Sequence, residues 1–162
     1  MKYLGEKSIS HILKIILGIF WYIGWLFFLI LIISSIISIY RYKGMLNIIA
    51  TIGVLVIASS ILFIIFQLRN ILGTLISKNP FSISNVYRFR NIGFSTLLVG
   101  IFILVNDLYF KGLRTFTIFD DSSGLYTNIE IYIPFLLGVF SLILAEIFKI
   151  GYQIHEENKL TI

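Results

Sequence analysis

Long apolar runs alternate with short polar breaks along this chain. The runs cover about 15–40, 48–66, 92–110 and 132–148, relieved only by glycines, small hydroxyls and isolated polar side chains. A helix needs about 20 apolar residues to cross the hydrocarbon core of a bilayer. In lipid every backbone group must be hydrogen-bonded within the segment, so each run is expected to be helical despite its many β-branched isoleucines and valines. The pattern predicts an all-α membrane protein: a single domain, 1–162, of four transmembrane helices in an antiparallel bundle. The first run is longer than the roughly 7–15 apolar residues of a signal peptide, and no small-x-small cleavage pattern follows it. It is read as a retained span.

The breaks carry their own patterns. Tyr40 to Gly44 is so short that the second helix must be an antiparallel neighbour of the first. In the central break, 67–91, Leu68, Ile71, Leu72, Leu75 and Ile76 share one helical face while Arg69, Asn70, Thr74 and Lys78 take the other. The second helix therefore continues beyond the membrane as far as Asn79-Pro80, because the residue before a proline avoids helical backbone angles. Ser82 or Ser84 then caps the third helix. Ile147, Ile150 and Ile154 prolong the fourth helix in the same way. Connector and tail together would build a cytoplasmic platform. The break at 111–131 differs: Thr115 to Phe119 alternates, Asp120 to Gly124 has turn chemistry, and Leu125 to Ile129 alternates again. That reads as a small extracellular β-hairpin between the third and fourth helices.

Composition changes the picture in one direction. Only 13% of the 162 residues are charged and 58% are hydrophobic, with a mean hydropathy of +0.96, whereas a soluble domain carries about 25% charged residues. The 13 Lys and Arg residues divide nine against four: Lys2, Lys7, Lys14, Arg69, Lys78, Arg88, Arg90, Lys149 and Lys159 against Arg41, Lys43, Lys111 and Arg114. The richer side is cytoplasmic by the positive-inside rule. Both termini and the central break are thus expected in the cytoplasm, around a multi-pass membrane protein. The net charge of +5 lies between apolar runs, not on a basic face interleaved with aromatics. It speaks for topology and contact with the lipid bilayer, and against direct nucleic-acid binding.

Candidate chemistry is sparse. There is no P-loop, GxGxxG or HExxH pattern, and the absence of cysteine excludes disulfides and thiolate sites. His11 and His155 lie near opposite chain ends, and two ligands do not make a zinc site, which needs about four. No catalytic residue, metal or cofactor is expected, and the chain is read as a non-enzyme. Glu146 stands out inside the fourth run, where an acid costs about 2.5–3.5 kcal/mol at the helix centre and less near an end. Lys149 follows it at i+3, and Arg88 and Arg90 should lie at similar depth. Glu146 is expected to pair with one of these arginines and lock the last two helices to the connector. Asp107 is expected to pair with Lys111 at i+4. Ser34 with Ser38, Thr96 with Gly100, and Ser141 with Ala145 place small residues four apart, a spacing that lets helices approach closely within one chain or in a homo-oligomer.

The residues Asn79-Pro80-Phe81, then Asn85, Arg88 and Arg90-Asn91-Ile92-Gly93, carry a resemblance, as does the ending from Leu144 to Phe148 with Gly151 and Glu156 to Ile162. Together they resemble the small four-helix bacterial membrane proteins catalogued as domain of unknown function 2975, over nearly the whole chain. Members of that family are often encoded beside a small helix-turn-helix regulator, and no enzymatic activity is established for them. Lys159 departs from the family's more usual acidic residue. The resemblance implies a membrane interaction or regulatory protein whose platform, around Asn79, Pro80, Phe81, Asn85 and Tyr87, holds a cytoplasmic DNA-binding regulator. The alternative is a small transporter or channel component acting as an oligomer. The almost wholly apolar middles of the four runs count against it, since transporters place several polar residues or broken helices there.

Overall fold

The structure, a computed structural model, describes residues 9–41, 44–111 and 129–160. They form four α-helices: α1 (Ile9–Arg41), α2 (Met45–Ile76), α3 (Ile83–Lys111) and α4 (Ile129–Leu160). No strand occurs among the described residues. The expected hairpin, 115–129, lies outside them apart from Ile129, which opens α4 as its first helical residue.

All four helices are long and apolar enough to cross a membrane, which makes the chain a multi-pass membrane protein. Even α3, the shortest at 29 residues, spans about 44 Å at 1.5 Å per residue, against a hydrocarbon core of about 30 Å. Every helix therefore tilts or projects beyond the core. The apolar side chains that face outward all along α1, from Ile12 to Ile39, have lipid as their solvent.

Packing follows chain order: α1 lies on α2, α2 on α3, and α3 on α4, and no other helix pair packs closely among the described residues. At the α1–α2 turn, Asn47 Nδ2 donates to the Ser38 carbonyl at 3.2 Å and the Ser38 hydroxyl donates to Asn47 Oδ1 at 3.3 Å. At the far end of the same pair, Arg69 of α2 sits over the Trp21 ring of α1 at 5.9 Å.

The tightest crossing joins α3 to α4 around Gly93 and Gly138. A Cβ placed on Gly93 would stand 2.7 Å from Leu142 Cδ2 and 3.0 Å from the Gly138 carbonyl oxygen. One placed on Gly138 would stand 2.7 Å from Leu97 Cγ and 3.2 Å from the Gly93 carbonyl. Only hydrogen fits on either side, so the two backbones meet directly, as small residues permit in lipid. Ser141 and Ala145 continue this seam, and the Ser141 hydroxyl donates to the Phe89 carbonyl at 2.9 Å. On α1 the expected small-residue pair is offset. Ser35 is the buried serine, whereas Ser34 is exposed and bonds back to its own helix at Leu31.

Candidate functional site

The connector between α2 and α3 is a short, ordered structure built on a helix stop. The chain leaves α2 after Ile76 with Ser77 as C-cap, and Lys78 takes a left-handed conformation, φ 59°. The Asn79 amide donates to the Thr74 carbonyl at 3.0 Å and the Lys78 amide to the Leu75 carbonyl at 3.2 Å. These are the two reverse bonds of a Schellman motif, which satisfies carbonyls that the helix end would leave bare. Glycine usually occupies the position of Lys78. The helix thus stops one turn before the Asn79-Pro80 boundary that proline alone would set. Ser82 immediately precedes α3, but its hydroxyl bonds the Ser84 hydroxyl at 2.9 Å.

Asn85 is the hub of this turn. It is fully buried, at 0% exposure, and its amide group donates to Thr74 Oγ1 at 2.7 Å and to the Pro80 carbonyl at 2.8 Å. Its Oδ1 accepts from Arg88 Nη1 at 2.9 Å, and the same nitrogen reaches the Asn70 carbonyl at 3.2 Å. Both amide protons and the side-chain oxygen are therefore used, which is the condition for a buried polar group to stabilise its surroundings. The network links the end of α2, the turn and the start of α3. Arg88 is consumed by it.

Arg90 is the arginine that meets Glu146. Its Nη2 lies 2.5 Å from Glu146 Oε1, while Lys149 Nζ lies 3.5 Å from Glu146 Oε2. Residues two positions apart on a helix are separated by about 200°, so Arg88 and Arg90 serve opposite faces, one towards α2 and one towards α4. Beside the ion pair, Phe81 folds onto α4. Its ring stands 5.7 Å from that of Phe148, which in turn lies 4.8 Å from Phe89. A Cβ on Gly151 would come within 2.6 Å of Phe81 Cδ1, so a side chain at that position would displace the ring.

The surface so held displays Lys78, Asn79, Phe81 and Tyr87, each exposed, with Pro80 between them half-buried. It presents aromatic edges, an amide and one cation beside the turn. Among the described residues no group of three or more histidines or carboxylates could hold a metal ion. His11 and His155 are carried by α1 and α4, which do not pack together. Asp107 is buried and lines, with Asn106, Glu130 and Phe102, a cavity of about 570 Å³ towards α2; the Lys111 side chain lies outside the described residues.

Residues 24–162 match a family model described as a protein of unknown function, DUF2975. The chain belongs to the DUF2975 family. Every residue of the connector, its network and its anchor on α4 falls inside the matched DUF2975 region, whereas the first half of α1 precedes it. No curated protein and no solved structure matches this DUF2975 chain.

Proposed function

We propose that this DUF2975 protein is a membrane interaction protein of the bacterial inner membrane, built as an antiparallel four-helix assembly with both termini in the cytoplasm. The end of α2, the connector and the projecting part of α4 form a cytoplasmic platform for a protein partner. The observation that carries this reading is the pairing of a fully satisfied, buried hub at Asn85 with exposed Phe81 and Tyr87 on the same turn. Spanning a bilayer needs no such hub in a connector. A rigid display of aromatic and amide groups is what a binding surface needs, because ordering a flexible loop on binding costs affinity. The charge count along the chain supports the cytoplasmic side for this surface.

A small helix-turn-helix DNA-binding regulator fits as partner. The platform carries Lys78 and the aromatic edges of Phe81 and Tyr87, so the partner's face would be apolar with acidic groups around it. The test is co-expression of the full chain with the products of its adjacent reading frames, followed by detergent purification. A co-purifying helix-turn-helix protein, lost on Tyr87→Ala while helical content stays unchanged, is the expected result. A chain that purifies without any such regulator, or that keeps it equally well in Tyr87→Ala, would overturn the reading.

A further inference from the structure

Near the end of α2 that leads into the connector, the α1–α2 pair opens into a cleft of about 530 Å³. His11, Lys14, Gly18 and Tyr22 line it from α1, and Arg69 and Ile76 line it from α2. The α1 residues recur at helical spacing, so one polar stripe of that helix is turned towards α2. The two cations cross the interface in opposite directions. Lys14 Nζ lies 3.5 Å from where a Cβ on Gly73 of α2 would stand, and Arg69 Nε lies 4.0 Å from the corresponding point on Gly18 of α1.

Neither helix holds a carboxylate to receive them, since α1 and α2 contain no Asp or Glu. The carboxylate-bearing helices α3 and α4 do not pack on α1. Among the described residues, then, no carboxylate answers the two like charges of the cleft, which repel each other, and the arrangement suits an anion. The guanidinium of Arg69 rests on the Trp21 ring, which orients its planar set of donors for a phosphate. Ile15 and Ile19 continue the cleft as an apolar floor. Trp21 and Tyr22 are residue types that favour the membrane–water boundary. Along α1 the cations and the apolar lining interleave, Lys14 beside Ile15 and Arg69 against Gly18 beside Ile19, with Trp21 and Tyr22 just beyond. This mixture matches the phosphate and adjoining acyl chain of a glycerophospholipid.

We propose that the α1–α2 cleft binds an anionic phospholipid, with Lys14 and Arg69 on the phosphate and an acyl chain along Ile15 and Ile19. The two cations disfavour a headgroup bearing its own ammonium, so phosphatidylglycerol is the favoured class over phosphatidylcholine. This inference does not depend on the platform reading: Arg69 and Ile76 share the end of α2 with the hub's Asn70 and Thr74, but the cleft uses none of the exposed groups of the turn.

Native mass spectrometry of the full chain in non-ionic detergent tests it, with phosphatidylglycerol, phosphatidylcholine and inorganic phosphate as probes. Phosphatidylglycerol is expected to bind about tenfold more tightly than phosphatidylcholine, and Lys14→Gln and Arg69→Gln to lose about fivefold each, ~30-fold together. Lys14→Arg retains binding, and Lys78→Gln, a cation outside the cleft, leaves it unchanged. Ile15→Trp fills the floor without altering charge and lowers binding too, which keeps the test decisive if a charge variant fails to fold. Equal binding of the two lipids would overturn the site. So would a loss on Lys78→Gln as large as on Arg69→Gln, which would mean surface charge alone. Displacement of the lipid by millimolar inorganic phosphate would replace lipid with soluble phosphate as the occupant.

Discussion

The two helix pairs of this protein solve the same problem with different means. α1 is almost uninterrupted in its apolar content, yet only Gly18 and Ser35 are buried in it. α3 and α4 carry more polar residues and bury a seam at their crossing, from Gly93 and Gly100 on α3 to Gly138, Ser141 and Ala145 on α4. In water the more apolar helix would be the more buried one. In lipid the tails are as apolar as leucine, so apolar area does not choose a partner, and close backbone approach and hydrogen bonds do. The α3–α4 pair has both in quantity. The α1–α2 pair has Gly24 against Leu62, the Ser38–Asn47 exchange and a cationic cleft. The family match respects the same division, covering all of α3 and α4 but only the later part of α1.

The sharpest way to break this contrast is to add one methyl group to each pair. Gly93→Ala sets a Cβ against Leu142 and against the Gly138 carbonyl, and a backbone cannot step aside. Forcing α3 and α4 apart should cost about 3 kcal/mol, the upper part of the overpacking range. Gly24→Ala meets the flexible end of Leu62 alone, although at 2.5 Å before relaxation. A leucine can rotate away, so this change should cost less than about 1 kcal/mol. Unfolding in mixed detergent micelles measures both. Equal losses would show that glycine identity, and not the backbone contact, matters at these crossings.

Next in size is the hub. Asn85→Ala removes two donors and an acceptor from a site without solvent, leaving the Pro80 carbonyl and Arg88 short of a partner. A loss of about 2 kcal/mol is expected, with faster hydrogen exchange confined to the connector. Asn47→Ala, in the α1–α2 pair, should cost about 0.6 kcal/mol, the average for a side-chain hydrogen bond in a membrane protein. If Asn47→Ala proved the costlier, full satisfaction of the buried hub between α2 and α3 would not set it apart from the single hydrogen-bond exchange between α1 and α2.

These particulars also show what the sequence makes legible. Four helices and their membrane character are plain from run length, because lipid permits no other backbone state. Continuation of α2 past its apolar run follows from the 3.6-residue period through Ile71 and Leu75. The stop at Ile76 is not legible, since the left-handed residue is a lysine and carries no glycine signature. Small-residue spacing marks that a helix has a close face without naming it, so Ser34 and Ser35 cannot be told apart by it. The assignment of Arg90 to Glu146 and Arg88 to the hub was available in principle, because residues two apart on a helix face opposite ways. Which way each faced needed the position of α4. The α1–α2 cleft is not legible either, because Lys14 and Arg69 are 55 positions apart and both read as ordinary topology charges.

Lys78 offers a smaller effect of opposite sign. A left-handed conformation costs an L-residue about 1–2 kcal/mol, and the Schellman bonds hold Lys78 there regardless. Lys78→Gly removes that cost while losing some order in the unfolded chain, so a gain of about 1 kcal/mol is expected. Lys78→Val should lose a comparable amount. Thermal unfolding of both variants checks the sign, and a loss on Lys78→Gly would mean that the lysine side chain contributes more than its backbone strain costs.

The smallest expected effect falls on the most conspicuous contact. Glu146 and Arg90 form a close ion pair, but their side chains are 55% and 37% exposed, and charges in contact with water or headgroups are screened and contribute little. Glu146→Gln should therefore change stability far less than Asn85→Ala does, and the difference should shrink further at high salt. What it should change is the seating of the connector on α4, because the pair ties Arg90, near the start of α3, to α4. A crosslink between cysteines placed at Lys78 and Ile154 would form at a different rate in Glu146→Gln than in the parent if the pair positions the turn. An unchanged rate, together with unchanged stability and partner binding, would reduce Glu146 to a surface charge and leave Phe81 on Gly151 as the whole of the anchor.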